Sequence, residues 1–158
     1  EVPSRPIGMI FKFEDVALMR VGEELKPMSD EVYLKIIEEK AFYRCTSLAD
    51  IVIDKGLEFL GSSAFEGCES LTEVTLPDSL SKIKITEGYF NSFSSKVFSG
   101  CKKLKKVVLS EKLKTIPEAF FENCEALDTI NFSKGIVTIE AKAFSGCRSL
   151  KQIILPYG

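Results

Sequence analysis

The chain has 158 residues, of which 45% are apolar and 28% charged, and its formal net charge is −2 at pH 7. This composition is typical of one soluble globular domain, and it gives no reason to expect nucleic acid or an anionic membrane as the main partner. No apolar run approaches the roughly 18 to 20 residues of a membrane-spanning helix. The sequence also lacks histidine, the commonest metal ligand and the usual base of serine and cysteine nucleophiles.

The N-terminal quarter of the chain has the least regular pattern. The chain begins EVPSRP, without an initiator Met or a leader, and its last repeat is half complete, so we expect a mature form or a fragment. We interpret residues 1–17, which include the apolar IGMIFKF, as part of an N-terminal cap. Residues 18–40 resemble a degenerate copy of the later repeats, although Gly22 occupies a slot that is otherwise cysteine. A helical cap beginning at Ser29 is the alternative.

From residue 41 onward one motif recurs in five versions. They read AFYRCTSL at 41, AFEGCESL at 64, VFSGCKKL at 97, FFENCEAL at 120 and AFSGCRSL at 143. Each version contains one of the five cysteines, at positions 45, 68, 101, 124 and 147, and the second repeat is ten residues longer than the others. Self-similarity at this period predicts a solenoid, in which each repeat buries its apolar face against its neighbours.

The segment LTEVTL within a repeat predicts a short, half-buried strand. Val74 and Leu76 alternate with Glu73, Thr75 and Pro77, so that the two sets lie on opposite sides. Equivalent strands of successive repeats run in the same direction and therefore form a parallel sheet with a spacing of about 4.8 Å. The following L-x-x-I pattern leads round the far side through a turn or a second short strand.

The A-F-x-x-C-x-x-L and I-x-L-P segments together resemble BspA-type leucine-rich repeats, over residues 41–158. The resemblance implies a right-handed, mostly β solenoid of the α/β leucine-rich repeat class, with a parallel sheet on one face and ladders of Phe and Cys in the core. The sequence departs from the pattern where VIDKG at 52–56 lacks the proline, where Phe120 fills the Ala slot, and in the long second repeat.

The stacked cysteines and phenylalanines are predicted to be core residues. Neighbouring thiols are close enough for disulfides, but parallel side chains and an odd number of cysteines favour buried free thiols. A line of thiols cannot surround zinc tetrahedrally. Asp50 and Glu73 occupy the same outward slot in adjacent repeats, with carboxylates about 5 Å apart as in retaining glycosidases, yet two solvated charges on an open sheet are the simpler interpretation. We predict no catalytic residue, cofactor or metal.

The outward slots of the strands form two rows in which we place a candidate partner-binding surface. The first row is Asp50, Glu73, Lys106, Thr129 and Gln152, and the second is Val52, Thr75, Val108, Asn131 and Ile154. Their mixed character suits a protein or a glycan better than a uniform polyanion. A basic cluster of Lys102, Lys103, Lys105 and Lys106 is either a solvated flank or a site for an acidic partner or sulfated glycan.

The insertion at about 84–93 is a second candidate site. Its Tyr89, Phe90 and Phe93 either anchor an interface or fold back over the solenoid. The sequon NFS at 131–133 matters only in a eukaryotic secretory route.

These patterns predict a non-catalytic module for protein–protein or protein–glycan interaction, in which rigid repeats hold the outward side chains in place. The family resemblance implies a secreted or cell-surface adhesion protein. The alternative is a structural stalk or spacer within a larger multidomain protein, and a glycan-active enzyme comes third. The ligand and the oligomeric state are not indicated.

Overall fold

The computed structural model of the protein describes residues 10–13, 16–21, 24–27, 34–53, 55–84 and 95–155. Within these ranges the chain forms short strands joined by turns and contains no helix. From Ile36 onward the strands are stacked in parallel, one repeat upon the next. The predicted parallel-sheet solenoid is therefore confirmed.

The N-terminal region contains an antiparallel meander of three strands. These are β1 (Ile10–Phe13), β2 (Val16–Val21) and β3 (Glu24–Pro27). Two residues separate consecutive strands, which is the spacing of tight β-hairpins. No strand pairing joins this sheet to the described strands of the solenoid. The division of residues 1–40 into a cap and a degenerate repeat stays a prediction, and the alternative helix would begin within residues 28–33, outside the described ranges.

The first sheet of the solenoid is parallel and contains the predicted outward rows. Its strands are β6 (Glu73–Thr75), β8 (Lys106–Val108) and β10 (Thr129–Asn131), in the order β10-β8-β6. Glu73 pairs with Lys106 and Lys106 with Thr129, so the register steps over the insertion without slipping. Val74 is buried while Glu73 and Thr75 are exposed, which confirms the predicted alternation.

The L-x-x-I segments form short parallel strands on the far side. They are β4 (Ile36–Ile37), β5 (Phe59–Gly61) and β7 (Lys82–Lys84), followed by β9 (Thr115–Ile116) and β11 (Thr138–Ile139). The first three strands form one sheet and the last two another. The break between these two sheets falls between β7 and β9. Residues 85–94, which belong to the long second repeat, follow β7 directly in the sequence.

The A-F-x-x-C segments form a third face of turns between the sheets. Each turn has a left-handed residue before its Ala slot and another before its cysteine, such as Ser63 (φ 54) and Gly67 (φ 74). This conformation points alternate backbone N–H groups along the solenoid axis, where they bond to the next repeat. The Phe42 N–H donates to the Ala64 carbonyl at 2.7 Å, and the Phe65 N–H to that of Val97 at 2.9 Å.

The core beneath these faces is a column of stacked aromatic rings. The rings of Phe65 and Phe98 lie 5.3 Å apart and nearly parallel, and those of Phe98 and Phe121 lie 5.7 Å apart. Phe120, in the Ala slot, is fully buried and meets Phe121 edge to face. The predicted phenylalanine ladder is confirmed, and the larger residue in the Ala slot adds to the column.

All five cysteines are free thiols, as predicted. Their role is more specific than that of small apolar residues, because four of them donate a hydrogen bond to a Phe carbonyl of the preceding repeat. The Cys101 thiol donates to the Phe65 carbonyl at 3.2 Å and the Cys124 thiol to that of Phe98 at 3.1 Å. Burial raises the pKa of Cys68 to about 12 and that of Cys124 well above its usual range, so the thiols stay protonated and remain donors.

Candidate functional site

The outer face of the first sheet brings six of the ten predicted row residues together. Strand register places Glu73, Lys106 and Thr129 side by side in one row and Thr75, Val108 and Asn131 in the next. Val108 is half-buried and the other five side chains are exposed. We call these six residues the sheet surface.

Two of the three strands of the sheet surface are supported from below by buried side chains. Val74 is 2% exposed and Val107 0%, and the leucines two residues further along, Leu76 and Leu109, are buried as well. Strands β6 and β8 are therefore anchored by alternate residues in the core, whereas the inward Ile130 of β10 is half-buried. Such anchoring fixes the outward side chains in position before any ligand arrives.

Polar groups on the sheet surface have unused hydrogen-bonding capacity. Within the described ranges, the side chains of Glu73, Lys106 and Asn131 form neither a hydrogen bond nor an ion pair. The Thr129 hydroxyl donates to the Asp128 carboxylate at 2.7 Å. A ligand could thus be bound by a carboxylate, an ammonium group and an amide on adjacent strands.

The other four row residues lie beside the sheet, outside its strands. Asp50 and Val52 are exposed on the segment before β6, and the Thr72 N–H donates to the Ala49 carbonyl at 3.2 Å, so this segment borders the sheet. Gln152 and Ile154 are exposed at the opposite border. Tyr89, Phe90 and Phe93 of the insertion lie outside the described residues, and their predicted role stays a prediction.

The basic cluster contains an ion pair that links neighbouring repeats. The Lys102 ammonium lies 2.9 Å from the Glu69 carboxylate, and this bond, with Glu125 contributing from the following repeat, raises the pKa of Lys102. The same slot holds Glu69, Lys102, Glu125 and Arg148 in successive repeats, and we call this set the charge column. The solvated-flank interpretation fits Lys102. Aligning the slot after each cysteine would have shown the alternation in the sequence.

Other candidate sites in the described ranges are less developed. A cavity of about 40 Å³ lies at the N-terminal end of the solenoid among apolar side chains that include Leu34, Phe42 and Ile53, which is space for little more than one water molecule. The Glu73 carboxylate is exposed on the open sheet, and that of Asp50 is exposed on the segment beside it. The described residues offer no cluster of His, Cys, Asp or Glu suited to a metal ion, and no helix in those ranges has the length and apolarity to cross a lipid bilayer.

Stacked parallel strands, a turn face and a ladder of Phe and Cys define this chain as a repeat protein of the β-solenoid class. The family described as "BspA type Leucine rich repeat region (6 copies)" matches residues 79–158, which is half of the chain. The protein belongs to the BspA-type leucine-rich repeat family.

Two crystal structures of bacterial proteins are similar to this chain. A leucine-rich repeat protein of T. pallidum is 30% identical with a TM-score of 0.60, and the match covers 74% of this chain and 50% of that one. A leucine-rich repeat protein from Bacteroides ovatus is 26% identical with a TM-score of 0.56, and the match covers 79% of this chain and 35% of that one. The chain thus spans half or less of these relatives. No protein of curated function is similar enough in sequence to match it.

Proposed function

We propose that this protein is a non-catalytic interaction module and that the sheet surface is where it binds. Leucine-rich repeat domains generally mediate binding and are generally not enzymes. The observation that carries the proposal is the sheet surface itself: exposed polar side chains with unused hydrogen-bonding groups, on paired strands of which β6 and β8 have buried residues beneath them. A surface prepared in this way loses little conformational entropy on binding.

The charge pattern of the sheet surface favours a ligand of mixed character. Glu73 and Lys106 are neighbours on adjacent strands, and hydroxyl, amide and apolar side chains complete the two rows. A protein segment that places a cation near Glu73 and an anion near Lys106 would be complementary to it. A glycan is the second ligand class that fits, through the amide of Asn131 and the hydroxyl of Thr75.

We further propose a secreted or cell-surface location and a role in adhesion, as the family resemblance implies. The support for this proposal is the family resemblance.

The proposal can be tested by capturing partners from host-cell and matrix extracts on the immobilised chain, with identification by mass spectrometry and, for glycans, on an array. The variant Glu73→Lys/Lys106→Glu exchanges two charges of the sheet surface while leaving the net charge unchanged. The matched control, Glu111→Lys/Lys114→Glu, exchanges the same charges at exposed positions outside that sheet. A third variant lacking residues 84–93 tests the insertion.

A partner that is retained by the wild type and the control and lost by the sheet variant would support the proposal. Loss only in the deletion variant would move the site to the insertion. If the folded wild type retains nothing above a control protein, a structural stalk or spacer becomes the better account of these repeats.

A further inference from the structure

The face of turns contains a polar groove that spans three successive repeats. Its volume is about 400 Å³, and typical ligand sites have volumes of about 300–1,000 Å³. We call it the turn groove. Two glycines form part of its lining, and the lining side chains are all charged or hydroxylic: Arg44, Thr46, Glu66, Glu69, Ser99 and Lys102.

The two glycines form the floor of the turn groove. Gly67 and Gly100 adopt φ 74 and φ 72 in the slot before the cysteine, where other repeats have Arg44 and Asn123. The Arg44 side chain leans over Gly67, with its Cγ 3.1 Å from the place that a Cβ would take. A Cβ on Gly100 would meet no described atom nearer than the Gly67 backbone, at 3.8 Å. The floor at Gly100 therefore has room for a ligand that approaches the backbone closely.

Side chains of both charges line the turn groove, and their formal charges sum to zero. The Lys102 ammonium bonds to the Glu69 carboxylate of the adjacent repeat at 2.9 Å. The Arg44 guanidinium lies over the Tyr43 ring, 5.5 Å from its centre, and this contact holds it in place. Glu66 is half-buried, and its carboxylate has neither a hydrogen bond nor an ion pair among the described residues. The groove thus combines positioned donors with a free acceptor.

A buried hydroxyl gives independent evidence for a ligand. Ser99 lines the turn groove but is only 8% exposed, and its hydroxyl has no hydrogen-bond partner in the described part of the chain. The buried hydroxyls of Ser62 and Ser95, by contrast, donate to backbone carbonyls at 3.0 and 3.2 Å. A buried polar group without a partner costs roughly 1–3 kcal/mol. A ligand that bonds to Ser99 would remove this cost.

We propose that the turn groove binds a short neutral glycan, at a site separate from the sheet surface. Sugar hydroxyls both donate and accept hydrogen bonds. One sugar can therefore donate to the Glu66 carboxylate, accept from the Arg44 guanidinium and bond to the Ser99 hydroxyl. Because the charges of the groove cancel, it does not favour a sulfated glycan or another polyanion.

A peptide fits the turn groove less well than a glycan. Peptide recognition uses free backbone groups or apolar pockets. The N–H groups of Gly67 and Gly100 already donate to the carbonyls of Ser99 and Glu122, at 2.8 and 2.7 Å. No apolar side chain is among those that line the groove in the described ranges. Recognition in the groove must therefore come from polar side chains.

A titration of the isotope-labelled 158-residue chain, followed by nuclear magnetic resonance, tests the proposal. The neutral probes are maltose, cellobiose, lactose and chitobiose, and a heparin-derived disaccharide is the sulfated probe. The backbone amide signals of Gly67, Ser99 and Gly100 should shift with at least one neutral disaccharide. We expect a dissociation constant of about 1 mM, because a shallow polar site gains little free energy from burial.

Two variants alter the turn groove and a third is the matched control. Gly100→Asn fills the floor with a residue that the fold accepts in this slot, since Asn123 adopts φ 59 there. Glu66→Gln removes the free carboxylate charge. Glu122→Gln makes the same change in the same slot, on a residue outside the groove lining. The first two variants should bind at least about tenfold more weakly, and the control should bind like the wild type.

The exchange variant Glu73→Lys/Lys106→Glu separates the two sites. It should bind the disaccharide like the wild type, and thermal melting establishes that each variant is folded. Four results would each overturn the proposal: no shift with any neutral disaccharide, shifts confined to the sheet surface, equal weakening in the control, or tighter binding of the sulfated probe. The sheet surface has its own test, so either proposal can fail without the other.

Discussion

Truncating a phenylalanine at the centre of the aromatic column should cost far more stability than truncating one at its end. Phe98 is fully buried and contacts three rings, at centroid distances of 5.3 Å to Phe65, 5.7 Å to Phe121 and 5.5 Å to Phe120. Removing a buried Phe side chain costs about 3–5 kcal/mol. Each aromatic pair adds about 0.5–1.5 kcal/mol beyond burial, so Phe98→Ala should lie near the top of that range.

The end of the column supplies the comparison. Phe42 is half-buried and has one ring contact among the described residues, at 4.9 Å to Phe65. We therefore expect Phe42→Ala to cost about half as much, roughly 2 kcal/mol. Because a domain has only about 5–15 kcal/mol of total stability, Phe98→Leu provides a milder variant at the same position: it keeps most of the buried apolar volume, loses the ring contacts, and should cost about 2 kcal/mol.

Urea denaturation followed by far-UV circular dichroism measures these differences, since the chain has no tryptophan. With a slope of about 2 kcal/mol per M urea, the midpoint for Phe98→Ala should fall by about 2 M. An equal loss in Phe42→Ala and Phe98→Ala would refute the reasoning, because the cost would then not depend on the number of stacked neighbours.

Three further predictions concern the thiols and the glycines. In the native chain, Cys68 should resist iodoacetamide at neutral pH while half-buried Cys45 reacts first, as read by mass spectrometry; equal labelling before denaturation would contradict this. Folding raises the pKa of Cys68 to about 12, so its thiol ionises at a lower pH in the unfolded chain than in the folded one. The contribution of this thiol to the free energy of unfolding should therefore be fully present below about pH 8.5 and be lost toward pH 12, so that the decline over this range is weaker in Cys68→Val. A Cβ on Gly61 would overlap the backbone of Glu39, so Gly61→Ala should cost about 2 kcal/mol or more. Gly100→Ala, which meets nothing nearer than 3.8 Å but adopts φ +72, should cost about 1 kcal/mol; the reverse order in thermal melts would show the packing argument to be wrong.

Features that depend on local period were predictable from the sequence. The alternation around Val74 and the L-x-x-I spacing each define a strand within a few residues, and stacking then aligns equivalent Phe and Cys slots. The outward rows follow from the same register, which is why Glu73, Lys106 and Thr129 were placed side by side correctly.

Features that depend on contacts between segments of different sequence could not be predicted from the repeat period. The antiparallel meander of Ile10–Pro27 has no repeat to reveal it. To predict the hydrogen bond from the Cys101 thiol to the Phe65 carbonyl, one must know how far two successive turns are displaced from each other along the solenoid axis. The repeat period alone does not give this displacement. The left-handed residue before the Ala slot carries no sequence signal of its own, because that slot holds Lys40, Ser63, Lys96, Ala119 and Lys142 and never glycine.

The charge column has a consequence for how the chain folds. Near-identical repeats can stack out of order, with one repeat skipped, because the apolar slots of every repeat are alike. Skipping a single repeat would place Glu69 against Glu125, or Lys102 against Arg148, so that each attraction becomes a repulsion. Alternating charge thus distinguishes the adjacent repeat from the next but one, and it penalises misassembly where the apolar core cannot.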